Sequence, residues 1–184
     1  MNPLPIGAGR NLVGARRLRA EALRRASGRR APTVFYMSGK KFKKEHIVTS
    51  VVAVILDDDG QVLLTRRNVA PFKGEWVMPG GKIDLGELIV KALQREVMEE
   101  VGLTVEVEDL IDVFEHVTPG DDNYHFIILY YLCRPLSCDI RRNHDEVAEA
   151  RWVSQKELPD YQMPEGTRFI LEKVFPQQRR HNDR

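Results

Sequence analysis

An α/β domain is predicted for residues 46–176 of this 184-residue chain. Three observations predict it: short β-branched apolar runs bounded by turn residues, one 17-residue segment of helical periodicity at 85–101, and a second short helical segment near the end. The longest apolar run, Phe126 to Cys133, is strand-sized and far short of the roughly 20 apolar residues that span a bilayer.

The elements follow in order. Ile47–Leu56 is largely β-branched and apolar, Asp57-Asp58-Asp59-Gly60 supplies a turn, and Gln61–Thr65 is again mostly apolar, which predicts strand–turn–strand. Gly74 to Gly81 reads as a Gly/Pro-punctuated loop around the short apolar piece Trp76–Met78. Asp84 followed by Glu87 has the form of a capping box and predicts a helix start at Leu85. Gly102 is a natural residue just past a helix end, so Val101 is predicted to close it. At about 100° per residue, Val90, Leu93, Val97 and Val101 form a core stripe. Val105–Val117 and Tyr124–Cys133 read as strands, the second buried on both faces, joined by the turn-rich Thr118–Asn123. Glu149–Val153 is a short strand, and Arg168–Phe175 a final helix stopped by Pro176.

The formal charge of +1, from 28 basic and 27 acidic residues, hides a division. Residues 1–45 carry 12 basic and 2 acidic side chains, giving +10, and read as a basic, disordered N-terminal extension. Residues 46–184 carry 16 and 25, giving −9, with 177–184 a polar tail. The arginine-rich start leaves open an organelle-targeting segment, and Met37 an alternative translation start. No aromatic residues interleave with the arginines, which argues against nucleic acid as the partner. Cys133 and Cys138 read as reduced thiols, and with no apolar leader the expected location is the cytoplasm. A membrane partner is not expected, and a homodimer stays open.

The chemistry concentrates in Gly80-Gly81-Lys82-Ile83-Asp84-Leu85-Gly86-Glu87 and Arg95-Glu96-Val97-Met98-Glu99-Glu100-Val101-Gly102-Leu103. Glu96, Glu99 and Glu100 fall on one arc of the helix beside its core stripe. Like charges at i,i+4, here Glu96 and Glu100, repel by a few tenths of a kcal/mol and require a compensating cation. Arg95 reaches Glu99 at i+4 and Lys91 meets Glu87, so a salt-bridged surface is one reading. A divalent cation is the other, because carboxylate oxygens are hard ligands suited to Mg²⁺ or Mn²⁺.

The stretch resembles the signature of the Nudix hydrolases: Gly, five residues, Glu, seven residues, then Arg-Glu-aliphatic-any-Glu-Glu-any-Gly-aliphatic. Gly81, Glu87, Arg95, Glu96, Val97, Glu99, Glu100, Gly102 and Leu103 satisfy every fixed position. The resemblance implies an α/β/α sandwich, a mixed β-sheet flanked by helices, over roughly Ile47 to Phe175. It also implies hydrolysis of a pyrophosphate bond in a nucleoside diphosphate linked to another group, a small-molecule substrate, with Mg²⁺ or Mn²⁺ as cofactor.

Carried onto these positions, the resemblance makes Glu96, Glu99, Glu100 and the Gly80 carbonyl the metal ligands. Gly81, Glu87 and Arg95 become supports of the site. Glu99 and Glu100 take catalytic roles, with Glu146 as the general base outside the helix and His144 as runner-up. Arg66, Arg67, Trp76, Lys82 and Tyr124 are candidate substrate contacts, with Phe72 and His125 further stacking candidates. Pro119, 16 residues after Leu103, resembles the ADP-ribose pyrophosphatase branch and makes ADP-ribose the first substrate expected. The layout also resembles members that sanitise oxidised (d)NTPs, and a non-catalytic nucleotide sensor is the alternative of a different class. All the carboxylates of the signature are present, which speaks against the sensor.

Overall fold

The computed structural model describes residues 47–118 and 124–175. The basic extension, Pro119 and the C-terminal tail lie outside the described residues. The elements are β1 (Val48–Ile55), β2 (Val62–Arg67), β3 (Trp76–Val77), β4 (Gly80–Lys82), α1 (Ile89–Val101), β5 (Val105–Thr118), β6 (Tyr124–Pro135), β7 (Val147–Val153) and α2 (Glu165–Val174). A short 3₁₀ turn, Leu158–Asp160, precedes α2.

Two sheets form. One runs β4-β1-β6-β5, with β1 parallel to β6 and the other pairs antiparallel; the second runs β3-β2-β7. Side chains alternate across a strand, so β1, β5 and β6 of the first sheet feed two cores. Val51, Ala53 and Ile55 of β1 pack with Leu93, Val97 and Val101 of α1. Val54 of β1, Tyr130 and Leu132 of β6 and Phe114 of β5 pack with Ile170, Leu171 and Val174 of α2. Strand β2 joins both cores, Leu63 to the first and Val62 and Leu64 to the second. The architecture is the expected α/β/α sandwich. Among the described residues no helix is long and apolar enough to cross a membrane, and both cysteines are free thiols, Cys133 buried and Cys138 exposed.

Three local expectations are corrected. Helix α1 begins at Ile89, not Leu85, because Gly86 takes a left-handed φ of 86° that breaks helical geometry. Glu87 makes no reciprocal capping box: its carboxylate accepts from the Asp84 N–H at 3.3 Å and is otherwise held by Arg95. The core stripe holds for Leu93, Val97 and Val101, all fully buried, but Val90 is 42% exposed because it lies in the first turn, ahead of the residues that meet the sheet. Strand β6 is fully buried only toward its C-terminal half, at Tyr130, Leu132 and Cys133; from His125 to Leu129 it is half-buried, and Phe126 and Ile128 face a cavity. The helix end is as expected: Gly102, at φ 68°, donates its N–H to the Met98 carbonyl.

Candidate active site

The site begins where β4 crosses in front of α1. Gly80 leaves no room for a side chain, since a Cβ there would come 2.3 Å from the Val51 carbonyl oxygen. A Cβ on Gly81 would stand 2.4 Å from both carboxylate oxygens of Glu96. The paired glycines therefore let the strand press against the carboxylates of the helix. The Gly80 N–H donates to Glu100 Oε2 at 3.1 Å.

Arg95 organises the outer side of this cluster. Its Nε and Nη2 donate to the two oxygens of Glu87, each at 2.9 Å. Its Nη1 donates to Glu96 at 2.9 Å and Glu99 at 3.1 Å, and its Nη2 also reaches the Lys82 carbonyl at 3.1 Å. The hydrogen bonds from Arg95 hold Glu87 below the usual carboxylate range. One planar guanidinium ties the loop before α1, the end of β4 and two helix carboxylates together, which a single ammonium could not do.

Glu100 is different. It is 6% exposed, and its carboxylate receives one backbone N–H. Burial pushes its pKa up to about 8, with the charges of Glu96 and Glu146 adding to the rise and Arg67 opposing it. Burial also raises Glu96, against the opposing pull of Arg95. The field of Glu146 thus reaches both helix carboxylates, although it lies 46 residues after Glu100 and 50 after Glu96.

Backbone bonds explain how Glu146 gets there. The Asn143 N–H donates to the Glu100 carbonyl at 2.9 Å, fastening the loop before β7 to the end of α1. On the other side the Asn68 N–H donates to the Glu146 carbonyl at 2.8 Å. The Asn68 side-chain amide donates to the carbonyls of His144 and Asp145, both at 3.2 Å. Asn68 thus clamps the Glu146 loop, a position that sequence reasoning missed because an asparagine after a strand reads only as a turn residue.

The carboxylates suit a divalent cation by donor type and by charge: hard oxygens, one of them buried, gathered without enough positive charge to balance them. Among the described residues, however, no three Asp, Glu, His or Cys side chains form an assembled ligand group, and Arg95 occupies oxygens of Glu96 and Glu99.

Beside this cluster lies a cavity of about 550 Å³ between the first sheet and the start of α2. Gly80, Gly81, Lys82 and Arg67 line it, so the carboxylate cluster and the cavity share the β4 wall. Phe72 also lines it, in a left-handed conformation at φ 64°, a strained state for a non-glycine residue.

The other candidates divide. Arg66 and Arg67 part where the pairing of β2 with β7 shifts register: Arg66 pairs with Glu149 at 2.8 Å, outside the cavity, while Arg67 lines it and donates its Nε to the Pro71 carbonyl at 2.8 Å. Trp76 does not line it; its indole meets Tyr161 edge-on at a centroid distance of 4.9 Å and carries the Arg151 guanidinium over its ring. His125 bonds to Glu115 at 2.8 Å. The side chain of Tyr124 lies outside the described residues.

Comparisons with known proteins agree with this geometry. The family model described as NUDIX domain matches residues 46–177. The chain is 34% identical over 119 residues to a human protein named 8-oxo-dGDP phosphatase, an alignment covering 63% of this chain and 35% of that one. It is 30% identical over 105 residues to an ADP-ribose pyrophosphatase of Methanocaldococcus jannaschii, covering 57% of this chain and 61% of that one. This chain therefore spans about a third of the first relative's length and under two thirds of the second's. A crystal structure of a MutT NUDIX hydrolase from Burkholderia pseudomallei superposes with a TM-score of 0.65 at 32% identity, covering 71% of this chain and 99% of that one.

Proposed function

The chain belongs to the NUDIX domain family, a family of hydrolases that use divalent metal ions, and from that premise we propose that it hydrolyses a phosphoanhydride bond in a nucleoside diphosphate derivative. The observation that carries this reading is the packing of Glu96 and Glu100 against the Gly80-Gly81 wall of a nucleotide-sized cavity, with the loop that bears Glu146 fastened to the end of α1.

On this reading Glu96, Glu99, Glu100 and the Gly80 carbonyl would hold Mg²⁺ or Mn²⁺, Glu96 and Glu99 exchanging an Arg95 contact for the ion. A bound divalent ion neutralises phosphate charge and lowers the pKa of a coordinated water. The chain's own residues do the rest. Arg67 and Lys82, on the cavity wall next to the carboxylates, hold the phosphate oxygens. Glu146, clamped through Asn68 and Asn143, takes the proton of the attacking water as its oxygen bonds to phosphorus and the bridging anhydride oxygen leaves. Arg95 and Glu87 keep the helix carboxylates oriented. The basic segment 1–36 has no part in the chemistry, and its removal leaves hydrolysis intact.

Two substrates suit this site. The relative named ADP-ribose pyrophosphatase supports ADP-ribose, the first expectation from sequence. The relative named 8-oxo-dGDP phosphatase supports an oxidised purine nucleotide. Both carry a nucleoside diphosphate. A screen of the purified chain with Mg²⁺ or Mn²⁺ against ADP-ribose, other nucleotide sugars, and oxidised and normal nucleoside di- and triphosphates tests the proposal. Release of a nucleoside monophosphate is expected, and no hydrolysis of any member overturns it. The site is expected to operate in the cytoplasm.

A further inference from the structure

The chain between β4 and α1 turns its apolar side chains outward. Leu85 is fully exposed, Leu88 is 72% exposed, and Ile89 and Val90 follow them at the surface. With Ile47, these are five of the ten large hydrophobic side chains exposed among the described residues. Single exposed leucines need no explanation, but a group of them marks a contact surface. Gly86, at φ 86°, makes a turn in which the Glu87 N–H donates to the Asp84 carbonyl at 3.0 Å. Arg95 draws the Glu87 side chain to the helix, and its neighbours Leu85 and Leu88 stay in solvent. Leu88 is also the N-cap of α1 and makes no side-chain cap bond, where Ser, Thr, Asp or Asn is preferred. An apolar cap facing water contradicts the local rule, and cover from elsewhere reconciles it.

The chain itself brings a cover to this place. Residues 1–46 lie outside the described residues and join the domain at Ile47, which is 54% exposed. Two residues on, the Thr49 carbonyl accepts the Ile83 N–H at 3.1 Å, and Leu85 lies two residues beyond Ile83. The extension therefore enters within a few residues of the patch. Its sequence holds a single run of four consecutive apolar residues, Val34-Phe35-Tyr36-Met37. Nine residues, 38–46, separate that run from Ile47; extended, they span at most roughly 30 Å, enough to fold back. The two parts carry opposite charge, +10 for 1–45 and −9 for 46–184, which draws the extension onto the domain. A second copy of the chain fits less well. A stable dimer presents about 20–30 residues a side, far more than this turn offers. A tethered segment binds at high effective concentration and needs only a small contact.

We propose that residues 34–37 dock on Leu85, Leu88 and Ile89, so that the basic extension covers the start of α1. Phe35 and Tyr36 supply most of the apolar area, and the tyrosine keeps a polar tip for the rim. The contact covers the turn that delivers Glu87 to Arg95. It adds no group to the reaction, so the chemistry of the site does not depend on it.

Hydrogen exchange on the full chain, read by mass spectrometry, tests the docking from both sides. In Phe35→Asp/Tyr36→Asp the protection of amides 85–90 is expected to fall about tenfold. In Leu85→Asp/Leu88→Asp the protection of amides 34–37 is expected to fall about tenfold as well. The first variant changes residues outside the domain and the second only exposed ones, so both are expected to keep the circular dichroism of the parent. Leu136→Asp, at an exposed leucine elsewhere on the surface, is expected to leave 34–37 unchanged. Sedimentation of the parent as a monomer is expected, since the contact lies within one chain. Protection at 85–90 that is equal in the parent and in Phe35→Asp/Tyr36→Asp overturns the proposal. So does protection at 34–37 that survives Leu85→Asp/Leu88→Asp or is lost equally in Leu136→Asp. A parent dimer that Leu85→Asp/Leu88→Asp converts to a monomer assigns the patch to a second copy and also overturns it.

Discussion

The two faces of the main sheet handle buried polarity in opposite ways. On the α1 face, Arg95 meets Glu87, Glu96 and Glu99 at once, so each charge at the rim has a partner inside the chain. Glu100, the innermost carboxylate, receives a backbone N–H and the longer-range field of Arg67, and burial raises its pKa despite both. On the α2 face the buried polar groups at the cavity are hydroxyls, and Ser50, Tyr130 and Thr167 have no hydrogen-bond partner among the described residues, while the charged pair Lys173–Asp112 lies farther along α2. The contrast separates two kinds of incompleteness. One face lacks positive charge beside Glu100; the other lacks hydrogen-bond partners for buried hydroxyls among the described residues.

Neutralising the innermost carboxylate breaks the comparison most severely. Glu100→Gln keeps the shape and the bond from the Gly80 N–H but removes the charge on which the α1 face depends. On the proposed role it lowers kcat by at least roughly 10²–10³-fold, while circular dichroism stays that of the parent. A folded and fully active variant would remove Glu100 from the metal assignment.

The same residue predicts a pH dependence of the metal-free protein. Its folded pKa of about 8 lies above the 4.5 of an ordinary glutamate, so between those values the native state holds a proton that the unfolded state has released. Stability therefore falls as pH rises through this window. The change from pH 6 to pH 8 is on the order of 2 kcal/mol, and Glu96, raised by burial, acts in the same direction. Thermal melts in chelator should show this slope in the parent and a flatter one in Glu100→Gln. Parallel slopes would show that the burial of Glu100 does not control the protein's acid response.

Arg95→Ala sharpens the claim that the rim of the α1 face is completed from within. It leaves Glu96, the half-buried carboxylate, without its cation, with an expected loss of roughly 1–2 kcal/mol in stability and about 10–100-fold in kcat/KM. Arg95→Lys should recover little of either, because one ammonium cannot span Glu87, Glu96 and Glu99. Full recovery by lysine would reduce the cluster to simple charge balance.

These outcomes also show which parts of the molecule could be read in one dimension. The carboxylates of α1, its end at Gly102 and the Arg95–Glu99 pair follow from spacings within one helix, and all were legible. The start of the helix was not, because Asp84 and Glu87 carry the spacing of a cap, while the left-handed turn at Gly86 and the pull of Arg95 decide the outcome. The cavity was invisible. Val52 faces Tyr130, and Ser50 faces Ile128, only through the β1–β6 register, and Thr167 joins them only when α2 docks. Asn68 shows the same limit. Its side chain does nothing within its own turn and bonds instead to carbonyls some seventy-six residues away. Asn68→Ala should lower kcat about tenfold through loss of Glu146 positioning, with KM little changed. An effect confined to KM would place the clamp in substrate binding instead.

The smallest expected effect tests two neighbours on a single strand. Arg66 and Arg67 are adjacent and identical in chemistry, but the pairing of β2 with β7 shifts register between them. Arg66 is spent on an exposed pair with Glu149, at 44% and 33% side-chain exposure. Such pairs are worth about 0–1 kcal/mol, so Arg66→Ala should leave kcat/KM within about twofold and the melting temperature nearly unmoved. Arg67 faces the cavity, where its charge opposes the rise in the pKa of Glu100. Its loss removes a cation from the phosphate side, and Arg67→Ala should raise KM roughly tenfold, in keeping with 1.5–3 kcal/mol for a hydrogen bond to a charged group. Equal effects from the two substitutions would mean that substrate reaches around β2 to both arginines, and the division between a partnered and a ligand-facing side would fail at its simplest point.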